Sequence, residues 1–151
     1  MLILSIPYLN NAFLEDQVKR TGLEWIEYRL DYNSEYKKLP EKYINSKTII
    51  TVRDISEGGV KQIPRKEKTE FYGKVINKFD CLVDYELSQY KNQDIPAQNL
   101  ILSYHDFSEI LDIQKLEKVV EISNSKAAKY LKIAVNISSY SDLNFIEKRR
   151  R

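Results

Sequence analysis

Residues 24–32 read EWIEYRLDY, and their alternation decides the fold. Side chains alternate faces along a strand. Glu27, Arg29 and Asp31 therefore share one face, and Ile26, Tyr28, Leu30 and Tyr32 share the other. The pattern returns downstream. Thr51 and Arg53 oppose Ile50 and Val52, while Asp84 and Glu86 oppose Val83, Tyr85 and Leu87. Ser103 and His105 oppose Leu102 and Tyr104, and Lys132, Ala134 and Asn136 oppose Leu131, Ile133 and Val135. Parallel strands covered on both faces read as near-continuous apolar runs. These strands instead carry a polar stripe toward their C-terminal halves. An antiparallel sheet with one wet face would alternate too, but the helical stretches between the strands imply crossover connections.

The strands fall at 2–8, 24–32, 48–54, 81–87, 99–107 and 130–137, rich in Ile, Leu, Val and Tyr. Helices are predicted at 11–21, 34–44, 66–78, 112–126 and 139–149. In the fourth of these, Ile113, Leu116, Val119, Val120 and Ile122 recur at helical spacing, and Asp112 suits the N-cap. The stretch 88–98 contains Pro96 and reads as a loop or short helix. The strand–helix alternation argues a parallel α/β sheet of about six units, with helices outside and charged groups converging at the C-terminal mouth of a barrel. The same charges could instead form a salt-bridge network that serves only the barrel, although buried charges are costly.

Composition bounds the function. Charged residues make up 30% of the 151 and nearly cancel, leaving a net charge of +2, which is not the basic excess of a nucleic-acid binder. The dense basic cluster, Lys148 to Arg151, reads as a solvated tail. Cys81 is the one cysteine, so no internal disulfide and no zinc spacing exists, and a reducing cytoplasm is expected. Cys81 opens an apolar run and reads as a small core residue. No run approaches the roughly 18 apolar residues of a membrane helix. The first residues read as a strand rather than a signal peptide.

His105 is the single histidine, on the charged face at the end of a strand, where a group suited to proton transfer near neutral pH would sit. Lys132 lies inside the apolar run LKIAV. Low-dielectric walls would favour a neutral amine there, and a neutral amine attacks carbonyls. Ala134 leaves room beside it. Glu57, followed by Gly58 and Gly59, is on a turn after Arg53, from which it could orient His105. A lysine nucleophile with a histidine base suggests Schiff-base chemistry with proton abstraction beside a carbonyl.

Five segments in order, EYRLD at 27–31, TVR at 51–53 followed by EGG at 57–59, VDYEL at 83–87, SYHDF at 103–107 and KIAV at 132–135, resemble type I 3-dehydroquinate dehydratase. The resemblance runs from residue 2 to about residue 137 and covers a single domain over 1–151. It implies a (β/α)8 TIM-barrel fold, here an incomplete barrel of about six parallel strand–helix units. It also implies a small-molecule substrate, 3-dehydroquinate, no metal and no cofactor, and a cytoplasmic place in the shikimate pathway of aromatic amino acid biosynthesis. By this resemblance Lys132 forms the imine, His105 moves the protons and Glu57 partners His105. Glu27, Arg29, Arg53 and Ser5 contact the substrate, while Asp31, Asp84 and Glu86 support them.

The chain departs from the family in having six units where eight are expected. In the family, strands after the lysine supply an arginine, a serine and a glutamine for the substrate carboxylate. Here Arg149, Arg150 and Arg151 fall in or after a helix. The domain therefore reads as C-terminally truncated. On the inner face Glu27, Asp31, Glu57, Asp84 and Glu86 stand against Arg29, Arg53 and Lys132, a deficit of two positive charges. An open sheet leaves edges that invite a homodimer or other self-association. The alternative to a working dehydratase is a non-catalytic remnant with the fold but little turnover. A different Schiff-base lyase, such as an aldolase, fits the ordered segments less well.

Overall fold

A computed structural model describes residues 2–91, 95–107 and 112–147. Six parallel strands run in chain order: β1 (Ile3–Pro7), β2 (Trp25–Arg29), β3 (Thr48–Thr51), β4 (Leu82–Glu86), β5 (Leu100–Asp106) and β6 (Tyr130–Val135). Between and after them lie α1 (Asn11–Thr21), α2 (Arg65–Lys78), α3 (Ile113–Ser125) and α4 (Tyr140–Glu147). The predicted parallel order and all six strands are observed, and the strands are shorter at their ends than the sequence suggests. The basic cluster at 148–151 lies outside the described residues. No described helix is long and apolar enough to cross a membrane.

Local chemistry sets the helix ends. The Asn10 side chain accepts from the Phe13 N–H to open α1, and Gly22, at φ +58°, closes it in the left-handed conformation. Asp112 caps α3 by accepting from Lys115 N–H at 3.0 Å, as its sequence position predicts. The buried stripe of α3 is Leu116, Val119 and Ser123, whereas Ile113 and Ile122 are exposed. The helix predicted at 34–44 does not form. Pro40 falls in its middle, lacks the N–H a helix interior needs, and the segment resolves into turns and a short 3₁₀ turn at Glu41–Tyr43.

The outward face of the sheet packs beneath the helices. Ile6, Tyr8, Leu14, Tyr28, Leu30, Ile50, Val52, Phe71, Tyr72, Val75, Val83, Tyr85, Leu100 and Leu102 form one buried cluster, which also takes in Cys81. On the inward face Ile49, Leu82 and Ile101, with Trp25 against them, make a small apolar floor at the N-terminal ends of the strands. Above that floor most inward residues are polar, Pro7 and Ala134 being apolar.

The curvature of the sheet can be read from one contact. Glu27 on β2 and Lys132 on β6 stand four strand intervals apart in the sheet, which in a flat sheet is roughly 19 Å at about 4.8 Å per interval. Their side chains meet at 2.9 Å. The sheet must therefore curl around its polar face, as an arc of a barrel does. The outer edges of β1 and β6 carry no strand among the described residues. β6 is only half-buried, in contrast to the fully buried β4.

Tyr72 ties this shell together. Its hydroxyl donates to the Asp84 carbonyl at 2.8 Å and accepts from Val52 N–H at 2.8 Å, bridging two neighbouring strand ends from α2. Tyr72→Phe strands a buried N–H and should cost about 1–3 kcal/mol. Urea denaturation should show it as a lower midpoint with an unchanged slope.

Candidate active site

Asp84, fully buried on β4, is the hub of the inward face. It accepts from Arg53 Nη2 at 2.8 Å, from Lys132 Nζ at 3.2 Å and from the Ser103 hydroxyl. Arg53 lies two residues past the end of β3, yet its guanidinium turns into the same layer, with Nη1 donating to Ser103 Oγ at 2.6 Å. Lys132 Nζ also donates to both oxygens of Glu27, at 2.9 and 3.1 Å, and Thr51 Oγ1 donates to Glu27 at 2.6 Å. The lysine predicted to sit among apolar walls thus faces two carboxylates, and its side chain, on the edge strand β6, is 38% exposed.

One step toward the C-terminal mouth is a second group. The register opposes Ser103 to Lys132 and His105 to Ala134, so His105 and Lys132 point to the same face one pleat apart on adjacent strands. His105 Nδ1 lies 3.0 Å from Glu57 Oε2, which also accepts the His105 backbone N–H at 3.2 Å. Ser88 Oγ donates to the other Glu57 oxygen at 2.7 Å. Glu57 is 8% exposed and ends a 3₁₀ turn, Ile55–Glu57. The two glycines that follow are required there. Gly58 has φ +84°, and a Cβ on Gly59 would sit 2.0 Å from the Arg53 carbonyl oxygen.

Other predicted residues take different places. Arg29 makes a bidentate pair with Asp31, both bonds at 2.8 Å, and Asp31 also accepts Arg53 N–H at 3.3 Å. Asp31 does so from a 3₁₀ turn, Leu30–Tyr32, rather than from the strand. Ser5 pairs in register with Glu27 but is exposed at the sheet edge. Arg53, at 2% exposed, is spent on Asp84 and Ser103.

Two participants escape the sequence reading. Ser88 sits in a turn with no strand pattern to flag it. Lys68, on α2, is fully buried and donates to Glu86 Oε2 at 2.7 Å. Lys68 adds a fourth basic side chain to the inner set, so five acidic side chains face four basic ones and the expected deficit of two becomes one. Every buried side-chain nitrogen and oxygen among the described residues has a partner. Spacing along α2 gives one signal for Lys68, since it shares the buried stripe with Phe71, Tyr72 and Val75.

Electrostatics give a test of the hub. Burial alone would push the Asp84 carboxyl up, but the Arg53 and Lys132 charges and the Ser103 hydroxyl hold it down at about 2. A carboxylate whose folded value lies below its unfolded value, near 4, stabilises the fold above that pH. That contribution is lost as pH falls from about 4 toward about 2. It should be on the order of 2 kcal/mol. Chemical denaturation across this range should show a shallower acid loss in Asp84→Asn than in the unaltered chain.

A profile described as Type I 3-dehydroquinase matches residues 11–150. The 3-dehydroquinate dehydratase of Saccharolobus solfataricus is 32% identical over 152 residues, covering 95% of this chain and 68% of that protein. The Pyrococcus abyssi 3-dehydroquinate dehydratase is 30% identical over 135 residues, covering 84% of this chain and 62% of its own length. The solved type I 3-dehydroquinate dehydratase of Clostridium difficile superimposes with a TM-score of 0.74 at 20% identity, covering 97% of this chain and 67% of that one. The chain thus spans about two thirds of the length of the relatives it matches.

Proposed function

The chain belongs to the type I 3-dehydroquinase family, and on that premise we propose that it dehydrates 3-dehydroquinate to 3-dehydroshikimate through an imine on Lys132. The observation that carries the reading is the juxtaposition on adjacent strands of an amine, Lys132, and an imidazole backed by a carboxylate, His105 with Glu57.

In this reading Lys132 Nζ gives a proton to Glu27, 2.9 Å away, and attacks the ketone carbon. Loss of water leaves a protonated imine. His105 takes a proton from the carbon beside the imine carbon, and the electron pair moves into the imine to give an enamine. The enamine expels the hydroxyl on the next carbon, with His105 returning its proton to that oxygen. Water then hydrolyses the imine and frees Lys132. Glu57 keeps Nδ1 engaged, so that the other ring nitrogen faces the substrate. Glu27, Arg29 and Ser5 meet the substrate's polar groups, and Arg53 contributes mainly by holding Asp84. Asp84 and Arg53 act here as preorganised charge around the reacting nitrogen.

A second reading keeps the fold and the imine-forming set but little turnover. The exposure of Lys132 on the edge strand β6 favours it, because water entering there weakens electrostatic catalysis. One pair of assays separates the two. Borohydride added with 3-dehydroquinate should trap an adduct whose mass maps to Lys132, and Lys132→Ala should abolish it. Turnover is followed as enone absorbance, and His105→Ala should lower kcat by about a hundredfold or more while leaving trapping intact. An adduct on another lysine refutes the mechanism. Trapping without turnover selects the second reading.

The proposal extends to the assembly. Among the described residues no strand pairs with the outer edges of β1 and β6, which present backbone donors and acceptors with Ile3 and Tyr130 exposed beside them. The chain should self-associate, and sedimentation velocity should show the monomer fraction falling as concentration rises. A single monomeric boundary over a hundredfold dilution range contradicts this.

A further inference from the structure

Glu86 and Lys68 form a fully buried ion pair that touches neither Lys132 nor His105, and the proposed reaction makes no use of it. Buried pairs carry a desolvation cost and are weak stabilisers, so their placement asks for a reason. Glu86 Oε1 accepts Asp54 N–H at 2.7 Å. Asp54 in turn organises the loop that follows. Its carbonyl accepts from Glu57 N–H and Gly59 N–H at 3.0 and 2.9 Å, and its carboxylate accepts from the Ser56 N–H and hydroxyl at 3.0 and 2.8 Å. The Glu86 backbone carbonyl accepts from Gln89 and Tyr90 N–H, each at 3.0 Å, shaping the turn that carries Ser88. The loop beneath Glu57 is therefore anchored on the Glu86 carboxylate, whereas the turn that carries Ser88 hangs on the Glu86 backbone carbonyl, which any residue at 86 supplies.

We infer that Glu86 and Lys68 are positioning residues for the proton-transfer step: the Glu86 carboxylate fixes the loop that aims Glu57 at His105, and Lys68 holds that buried carboxylate in place. This rests on the dehydratase reading for its kinetic consequence, but its structural consequence stands apart from any activity. Arg53 Nη1, 3.6 Å from Glu86, keeps its shorter contacts to Asp84 and Ser103 if Glu86 is removed, so the Lys132 environment is spared.

The single histidine supplies a clean readout, because ring nitrogen shifts report whether Nδ1 is bonded. The double substitution Lys68→Met with Glu86→Leu removes both charges together and leaves no buried ion alone. It should keep the thermal transition near that of the unaltered chain but lose the Nδ1–Glu57 signature. Lys68→Met with Glu86→Gln keeps an acceptor for Asp54 N–H and should retain the signature. With substrate, the first variant should lose at least about tenfold in kcat, with KM and borohydride trapping little changed. If it folds and keeps both the signature and the rate, the inference is overturned. If it does not fold, hydrogen exchange in the unaltered chain decides. Asp54, Glu57 and Gly59 amides should open together in one slow event, and independent fast exchange at Asp54 overturns the inference. Absence of trapping on Lys132 in the unaltered chain would overturn the dehydratase reading alone, since the nitrogen signature is read without substrate.

Discussion

A carboxylate with no access to water, Asp84, is the constraint on which the inner face depends. A buried charge is tolerated only when opposite charges and hydrogen bonds meet it. Those partners come from three separate places: Arg53 beyond β3, Ser103 on β5 and Lys132 on β6. Satisfying Asp84 therefore draws non-adjacent parts of the sheet inward, and Glu27 completes the arc by meeting Lys132 from β2. Electrostatics and curvature are one problem here. The apolar outer face supplies the burial energy, while the polar inner face specifies how far the sheet bends.

Much of this was legible because period-2 alternation is a strong signal when both faces are consistent. Glu27, Asp84, Ser103 and Lys132 each fall on the polar side of a strand whose other side enters the main core, and they meet in space. The partnership of Glu57 with His105 was legible for another reason. A glycine pair just after a strand marks a chain reversal, and the reversal returns the carboxylate over the strand ends.

What sequence reasoning missed has equally definite causes. Alternation cannot show where a strand stops, so Asp31 and Arg53 were read as strand residues, although each lies in the chain just beyond one. The helix expected at 34–44 was placed by strand–helix alternation without regard to Pro40, and the proline prevents it. Lys68 was invisible to a reading that assigned charge to strands and apolar contact to helices. Its spacing places it on the buried stripe of α2, but that its amine meets Glu86 depends on packing. Ser5 was expected at the site through the resemblance alone; it pairs in register with Glu27 but lies exposed on an edge strand.

The strand order follows the chain without a single inversion, and this bears on how the molecule is made. Proteins emerge from the ribosome N-terminus first, at roughly 5–20 residues per second. Here each new strand finds its neighbour already present, so the sheet can grow by accretion at one side with no rearrangement of earlier pairs. The contact between Glu27 and Lys132, whose partners are 105 residues apart in sequence, spans the most strands of those that wait for later chain. Glu27 must wait through the synthesis of four further strands for its cation. The nascent arc is therefore looser than the finished one, and arrival of the sixth strand both supplies the amine and sets the bend. Vectorial synthesis thus delivers Lys132 and the geometry that receives it in the same step.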